Sequence, residues 1–239
     1  MEDVAIAYGF NQLPRSFPSK SATVAQPLAL NKLSDIIRLE VAMAGWSEVM
    51  PLILCSHDEN FAYLNRSDNG ATAAKLANPK TAEYQVVRTS LLPGLLKTIR
   101  ENKKHSLPMK IFEVSDVVLK APELERKCRN ERHLAVAFYG RTSGFEVVHG
   151  LLDRIMLMLK AAFHSHEEGL PDRAMEYWIE EDADNPTFFE GHAASIHVRV
   201  GAGKVRCVGT FGILHPTVLE RFELRYPIST LEINVEPFL

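Results

Sequence analysis

Residues 27–54 read PLALNKLSDIIRLEVAMAGWSEVMPLIL, and this stretch says most about the architecture. Apolar residues recur in it every three or four positions, at Leu30, Leu33, Ile37, Val41 and Ala44. This spacing predicts a helix with one buried face, for which Pro27 suits the first turn and Gly45 the end. Residues 49–54 then predict a strand. Because Pro51 has no N–H to donate, we expect that strand at a sheet edge or a subunit contact.

The composition of the 239 residues is that of a folded domain and excludes several classes of protein. Hydrophobic residues make up 46%, which is enough for a sizeable core. Because 27 basic residues face 30 acidic ones, the surface as a whole is not that of a nucleic-acid binder. No run of about 18 apolar residues predicts a membrane span. The acidic start MEDVAIAYGF argues against a secretory signal, so we expect a cytoplasmic protein.

Beyond residue 54 the pattern predicts an α+β fold with a mostly antiparallel sheet flanked by helices. Helices are predicted after Ser90, which suits an N-cap, over 145–163, and after 216. Strands are predicted over 110–119, 133–139, 195–200, 204–213 and 230–235, with a hairpin turn at 201–203. The acidic residues 167–190 are interpreted as a loop. Since strands and helices are grouped rather than alternating, we expect the helices on one side of the sheet.

Chemistry-bearing patterns are sparse. The three cysteines form no C-x-x-C pair, so neither a zinc site nor a disulfide framework is predicted. His164 and His166 are interpreted as surface histidines. A hydrolase built on Ser195 is an alternative, but Ser195 has no G-x-S-x-G context. Residues 97–132 carry ten basic and six acidic residues. We interpret them either as a solvated face or as an RNA contact through Lys103, Lys104 and Arg129.

Three segments resemble, in order, the motifs of class II aminoacyl-tRNA synthetases. Residues 45–52 (GWSEVMPL) resemble motif 1, residues 111–115 (IFEVS) stand where motif 2 has Phe-Arg-x-Glu, and residues 231–235 stand at motif 3. The motif 1 resemblance implies a subunit interface with these contact residues: Val41, Gly45, Trp46, Val49, Pro51 and Leu52. The resemblance places Glu113 where the family has a substrate-clamping arginine, and residues 231–239 contain no arginine. It therefore implies no catalytic residue in this chain.

Other stretches resemble the C-terminal, synthetase-like part of phenylalanyl-tRNA synthetase β chains of the eukaryotic cytosolic or archaeal type. The most specific is RTSLLPGLL at 88–96, and GTFGILHP at 209–216 also matches. The resemblance implies a non-catalytic core that pairs with a catalytic α chain in an (αβ)₂ assembly charging tRNA(Phe), with ATP and Mg²⁺ used by the holoenzyme. Arg88 is predicted either to hold a loop or a carboxylate at the interface or to form a local salt bridge. A free-standing enzyme and an RNA-binding module remain the alternatives.

The N-terminal residues resemble the end of the domain that precedes this core in the family. The expected division is therefore 1–20 for that helix and a linker, and 21–239 for the core. Glu2 and Asp3 match the last pair of an acidic cluster that the family associates with Mg²⁺. Because two carboxylates alone rarely hold Mg²⁺, we expect at most a remnant of a metal site here.

Overall fold

The computed structural model describes residues 1–14, 16, 28–164, 175–200 and 203–239. Its α-helices in chain order are α1 (Glu2–Tyr8), α2 (Ala29–Met43), α3 (His57–Asn60), α4 (Leu92–Glu101), α5 (Phe145–Met158) and α6 (Pro216–Arg221). The helix predicted from 27–54 is therefore α2, although Pro27 itself lies outside the described residues. In the described part of the chain, no helix is long and apolar enough to cross a membrane.

The strands build one large sheet and one small one. They are β1 (Ser47–Glu48), β2 (Leu54–Cys55), β3 (Val86–Val87), β4 (Met109–Lys120), β5 (Cys128–Tyr139), β6 (Ala161–Phe163), β7 (Met175–Glu181), β8 (Phe188–Val200), β9 (Arg206–Leu214) and β10 (Ile228–Asn234). The eight-stranded sheet has the order β1-β4-β5-β10-β9-β8-β7-β6, and β2 pairs with β3. The neighbours are antiparallel except β1–β4 and β6–β7, so the predicted α+β class and mostly antiparallel sheet are confirmed.

Helices cover both faces of this sheet, so the expectation of helices on one side was wrong. Alternate residues of β4 separate the two cores, with Phe112 on one side and Ile111 on the other. Helices α2 and α5 pack on the Phe112 face, and α4 and α6 pack on the Ile111 face. Because a central strand with both faces covered is apolar throughout, its period-two signal does not show on which side the helices lie.

Three predicted elements differ from the structure. Residues 49–53 are not a strand, and they lie between the edge strand β1 and the short β2. Helix α5 ends at Met158 rather than residue 163, and residues 161–163 form β6 against β7. Strand β7 lies inside the supposed acidic loop, where Tyr177 packs in the core, Glu176 is buried, and Glu180 and Glu181 are exposed. These sheet-edge pairings are long-range contacts that override local propensity. The proposed turn at 201–203 lies outside the described residues except for Gly203.

Candidate functional site

A buried ion pair joins the start of the RTSLLPGLL stretch to the centre of the sheet. Arg88 Nη2 lies 2.8 Å from Glu113 Oε1, and Arg88 Nε donates to the carbonyl oxygen of Asp116 at 3.2 Å. Arg88 is 2% exposed and Glu113 is 3% exposed. Burial raises the pKa of the Glu113 carboxyl to about 7, and Arg88 opposes that increase only in part. Among the described residues, Arg88 Nη1 and Glu113 Oε2 have no hydrogen-bond partner.

A second buried carboxylate, Glu232 on β10, ties the N-terminus of α4 to the sheet. Its Oε2 accepts from Ser90 Oγ at 2.5 Å, and its Oε1 accepts from the Leu91 N–H at 3.0 Å. The N-cap of α4 is Leu91 and not Ser90 as predicted, but Ser90 Oγ accepts from the Leu92 N–H at 3.2 Å while it donates to Glu232. Burial alone would raise the pKa of Glu232, but His133 outweighs it and the pKa is lowered. Glu232 therefore acts as an anion held at the start of this helix.

His133 on β5 completes this buried cluster. Its Nδ1 lies 2.8 Å from Glu232 Oε1, and its Nε2 lies 3.4 Å from Glu131 Oε2. Burial by itself would lower the pKa of His133. The hydrogen bonds and charges of the two carboxylates outweigh that effect and raise the pKa to about 9. At neutral pH the cluster thus contains a charged imidazolium between two carboxylates.

The strand register places these groups in one row on the α4 side of the sheet. Ala135 on β5 is directly opposite Glu113 on one side and Glu232 on the other. Two strand spacings put the backbone positions of the two glutamates about 10 Å apart. Arg88 is bonded to Glu113, and His133 is bonded to Glu232, so both cations already have carboxylate partners. A nucleotide phosphate brought to this row would meet two carboxylates whose bonded cations are already paired. A further buried cation, Arg66, is close enough to interact electrostatically with Glu232, and its Nε donates to Thr187 Oγ1 at 3.1 Å.

The predicted interface residues divide into an outer and an inner set. Gly45 and Leu52 are exposed, and Val49 and Pro51 are half-buried. Val41 and Trp46 are wrong in their orientation, because the chain buries them itself, whereas Arg88 is buried in the local salt bridge that was one of its two predicted roles. Val41 and Trp46 pack in the core between α2 and the sheet, and Arg88 pairs with Glu113. These three side chains cannot touch a partner chain directly.

Beside the predicted contact Leu52, the structure exposes further apolar side chains that the sequence did not predict. On α2, Ile36, Leu39 and Met43 lie on one outward face, and Leu39 and Met43 are 63% and 69% exposed. In the segment 49–53, Met50 is 90% exposed and Leu52 is 66% exposed. The sequence of α2 contained a signal for them, because Ile36, Leu39 and Met43 form a second apolar face. A helix that is apolar on two faces is usually covered on both. We call these five residues the outer apolar surface.

The candidate RNA contacts do not form one patch. Lys103 and Lys104 follow α4, and Lys103 lies 3.5 Å from Glu223. Arg129 lies at the other end of the β4–β5 hairpin and pairs with Glu131 at 2.5 Å. Because Met109 pairs with Tyr139 and Leu119 with Arg129, the two ends are ten residues apart along β4. At about 3.3 Å per residue, this separation is about 33 Å. The charge run in sequence is thus divided in space.

The remaining candidate residues do not assemble into a metal or hydrolase site. Glu2 and Asp3 are exposed in the first turn of α1. Within the described ranges, no group of three or more His, Cys, Asp or Glu residues is placed to hold a metal ion. Ser195 Oγ lies 2.9 Å from His197 Nε2, but the nearby carboxylate of Glu180 approaches the same nitrogen at 3.5 Å. A hydrolytic triad needs the acid at the other ring nitrogen, so this arrangement does not orient a base.

A mostly antiparallel sheet with helices on both faces defines the class of fold. The solved structure of a pyrrolysyl tRNA synthetase from Desulfitobacterium hafniense is similar to it, with a TM-score of 0.66 at 13% identity over 92% of this chain and 70% of that one. That likeness shows the fold of a class II tRNA synthetase. The chain belongs to the family described as the phenylalanyl tRNA synthetase beta chain CLM domain, whose model matches residues 13–235. The predicted family is therefore confirmed.

Several curated relatives are named phenylalanine–tRNA ligase beta subunit. The Schizosaccharomyces pombe protein is 54% identical over 98% of this chain and 39% of its own length. The Saccharomyces cerevisiae protein is 50% identical over all of this chain and 40% of its own length, and the Homo sapiens protein is 43% identical over all of it and 38% of its own. This chain thus spans about two fifths of the length of these relatives.

Proposed function

We propose that this chain is the non-catalytic synthetase-like core of a phenylalanine–tRNA ligase β subunit. In this proposal it pairs with a catalytic α chain, and the assembly charges tRNA(Phe) with phenylalanine. The observation that carries the proposal is the buried row of Glu113 and Glu232, at the place where the family resemblance expects a phosphate-binding arginine. An adenylate-forming site needs cations matched to developing negative charge, and losing one such contact costs about 3 kcal/mol or more in the transition state. In this proposal, ATP and Mg²⁺ therefore bind to the α chain.

The outer apolar surface supports pairing with the α chain. It lies on α2 and on the segment after the edge strand β1, which are the elements that the motif 1 resemblance assigns to a subunit interface. Large exposed apolar side chains mark association surfaces. The predicted contacts Gly45, Val49, Pro51 and Leu52 keep this role in the proposal. The full assembly is proposed to be (αβ)₂.

The domain division and location are also proposed. Residues 1–20 are assigned to the end of a preceding domain, and residues 21–239 to the core. In support, the family model begins at residue 13, and α1 contains no buried residue. A cytoplasmic location is proposed because an Arabidopsis thaliana relative, 45% identical, is named as cytoplasmic.

The catalytic half of the proposal is tested by phenylalanine-dependent exchange between ATP and pyrophosphate. The isolated chain is expected to show no exchange above a blank, and the α chain co-expressed with it is expected to show exchange. Exchange by the isolated chain, free of any α chain by mass spectrometry, would contradict a non-catalytic core.

The pairing half is tested by Leu52→Asp in co-purification with the α chain. Burying a leucine contributes about 2 kcal/mol, so the variant is expected to weaken binding at least about tenfold. Leu124→Asp is the matched control, because Leu124 is also exposed but lies in the β4–β5 connection. If both variants co-purify like the wild type at unchanged melting temperature, the outer apolar surface is not the α-chain contact.

A further inference from the structure

Three loops meet at the end of the sheet where β4 begins and β5 ends. They precede β4, follow β5 and precede β10, and they are residues 102–108, 140–144 and 223–227. The register brings them together, because Tyr139 is directly opposite Met109 on one side and Ile228 on the other. Leu107 and Leu224, from two of the loops, pack into the same core as these three residues. We call the three loops the basic end of the sheet.

The basic end is positively charged, although the whole chain has a net charge of −3. Its loops contain four cations and one acid, Glu223, which gives them a net charge of +3. All four cations are exposed: Lys103, Lys104, Arg141 and Arg225. Adding the flanking residues leaves the excess at three, since residues 100–110, 140–146 and 220–227 carry seven cations and four acids. The positive patch therefore arises from the fold, which gathers cations from three distant parts of the sequence.

Most of these cations have no carboxylate partner within the chain. Lys103 Nζ lies 3.5 Å from Glu223 Oε2, but both side chains are exposed, and a surface pair of this kind contributes little. Among the described residues, Lys104, Arg141 and Arg225 form no ion pair. Their charges are therefore available to an anionic partner, unlike those of the paired cations in the buried row.

An exposed aromatic ring lies next to these cations. Tyr226 follows Arg225 and is 38% exposed, and its ring stands edge-on to that of Tyr139, with the ring centroids 5.7 Å apart. Because Tyr139 is 5% exposed and belongs to the core, this contact fixes the Tyr226 ring at the surface. Proteins bind unpaired nucleotides with such a combination, in which cations contact phosphates and a base stacks on the ring. An acidic protein segment would use the cations but would have no need of the ring.

We propose that the basic end of the sheet contacts the phosphate backbone of tRNA beside an unpaired nucleotide whose base stacks on Tyr226. This inference rests on the proposed function and adds which surface of this chain touches the RNA. Since β4, β5 and β10 are neighbours, the loops begin within about 10 Å of one another, and one stretch of backbone can reach all three. The contact set differs from the one predicted from sequence, because Arg129 lies at the far end of β4, whereas Arg141 and Arg225 lie outside residues 97–132. Phosphate contacts position an RNA without reading its sequence.

The test measures the binding of labelled tRNA(Phe) by the co-expressed α and β chains between about 50 and 300 mM NaCl, the range in which phosphate contacts weaken steeply. One β-chain variant removes the three unpaired charges: Lys104→Gln, Arg141→Gln and Arg225→Gln. Its control removes three exposed charges at the opposite end of the sheet, which also form no ion pair among the described residues: Lys160→Gln, Lys204→Gln and Arg206→Gln. An independent pair is Tyr226→Ala, which removes the ring, and Tyr226→Phe, which keeps it. Circular dichroism melts check the folding of every variant.

The triple variant at the basic end is expected to weaken tRNA binding at least about tenfold near 100 mM NaCl. It is also expected to reduce the slope of log Kd against log salt concentration by about two, because each phosphate contact contributes about 0.7 to 0.9 to that slope. Tyr226→Ala is expected to weaken binding about fivefold or more, since a stacked base is lost. Tyr226→Phe and the control triple variant are expected to bind within about twofold of the wild type.

A wild-type salt slope in the triple variant, together with wild-type affinity in Tyr226→Ala, overturns the RNA contact while the pairing of the α and β chains stands. An equal loss in the control triple variant overturns it too, because the effect then follows net charge rather than this surface. If the triple variant loses the α chain while the remaining complex keeps the wild-type salt slope, the basic end binds an acidic part of the α chain instead. A wild-type β chain that does not pair with the α chain contradicts the proposed function, and this inference falls with it.

Discussion

Replacing His133 by asparagine is expected to remove a defined part of the pH dependence of stability. The pKa of His133 rises from 6.5 to about 9 on folding, because two carboxylates outweigh the effect of burial. A group with a raised pKa contributes its full stabilisation below the unfolded pKa and loses it as the pH rises through the folded value. A difference of about 2.5 between these pKa values corresponds to about 3 kcal/mol, lost mainly between pH 6.5 and 9.

The assay is urea unfolding at pH 6, 7, 8 and 9, followed by tryptophan fluorescence. Asparagine keeps an amide nitrogen near the position of Nδ1, so it retains a hydrogen bond to Glu232 but carries no charge. The wild type is expected to exceed the variant in unfolding free energy most at pH 6, with the difference shrinking by about 3 kcal/mol by pH 9. His192→Asn, at an exposed histidine, is the control. A wild-type minus His133→Asn difference that stays constant from pH 6 to 9 would refute the reasoning.

Two further predictions concern packing and RNA. Gly94→Ala places a Cβ 2.7 Å from a proline side-chain carbon of the 49–53 segment, so it is expected to lower stability by about 1–3 kcal/mol in urea melts. The control Gly150→Ala, in α5 with open space around it, is expected to raise stability by about 1 kcal/mol, and equal effects would contradict the close packing. Neutralising Lys103 and Lys104 is expected to flatten the salt dependence of tRNA binding by the complex, whereas Arg129→Ala is not. Arg129 is already paired with Glu131, and it lies at the other end of the β4–β5 hairpin, about 33 Å along β4. An effect of Arg129→Ala alone would reverse this assignment.

Periodicity in the sequence was sufficient for the elements that bury one clear face. Helix α2 and strands β4 and β10 fall where their apolar spacing predicts them. Strand β7 was missed because three of its seven residues are acidic and dominate the local composition, while Met175, Tyr177 and Ile179 mark its inner face. Its place is determined by pairing with β8 at the far side of the sheet. That pairing is a contact between distant residues, and no local pattern encodes it.

The candidate site was predictable only in part, for a related reason. Glu113 stood out as an acid at a position where the resemblance expects an arginine. Its partner Arg88 lies 25 positions earlier in another element, and Glu232 lies beyond both. Period-two alternation places Glu113 and Glu232 on a sheet face, but only the register β4-β5-β10 brings them into one row. The predicted orientations of Val41 and Trp46 were wrong for the same reason. The apolar stripe of α2 shows that Val41 shares a face with other apolar residues, but not whether the sheet or a partner covers that face, and Trp46 follows directly after this helix.

The buried row holds Arg88 and the start of α4 to one face of the sheet. A lone buried carboxylate is costly, and removing one partner of such a pair typically costs about 3–5 kcal/mol. Here Glu113 pairs with Arg88, Glu232 accepts from Ser90 Oγ and the Leu91 N–H, and His133 lies between Glu232 and Glu131. These contacts pair Arg88 and His133 with carboxylates, and they also fix the start of α4 and Arg88, four residues before it.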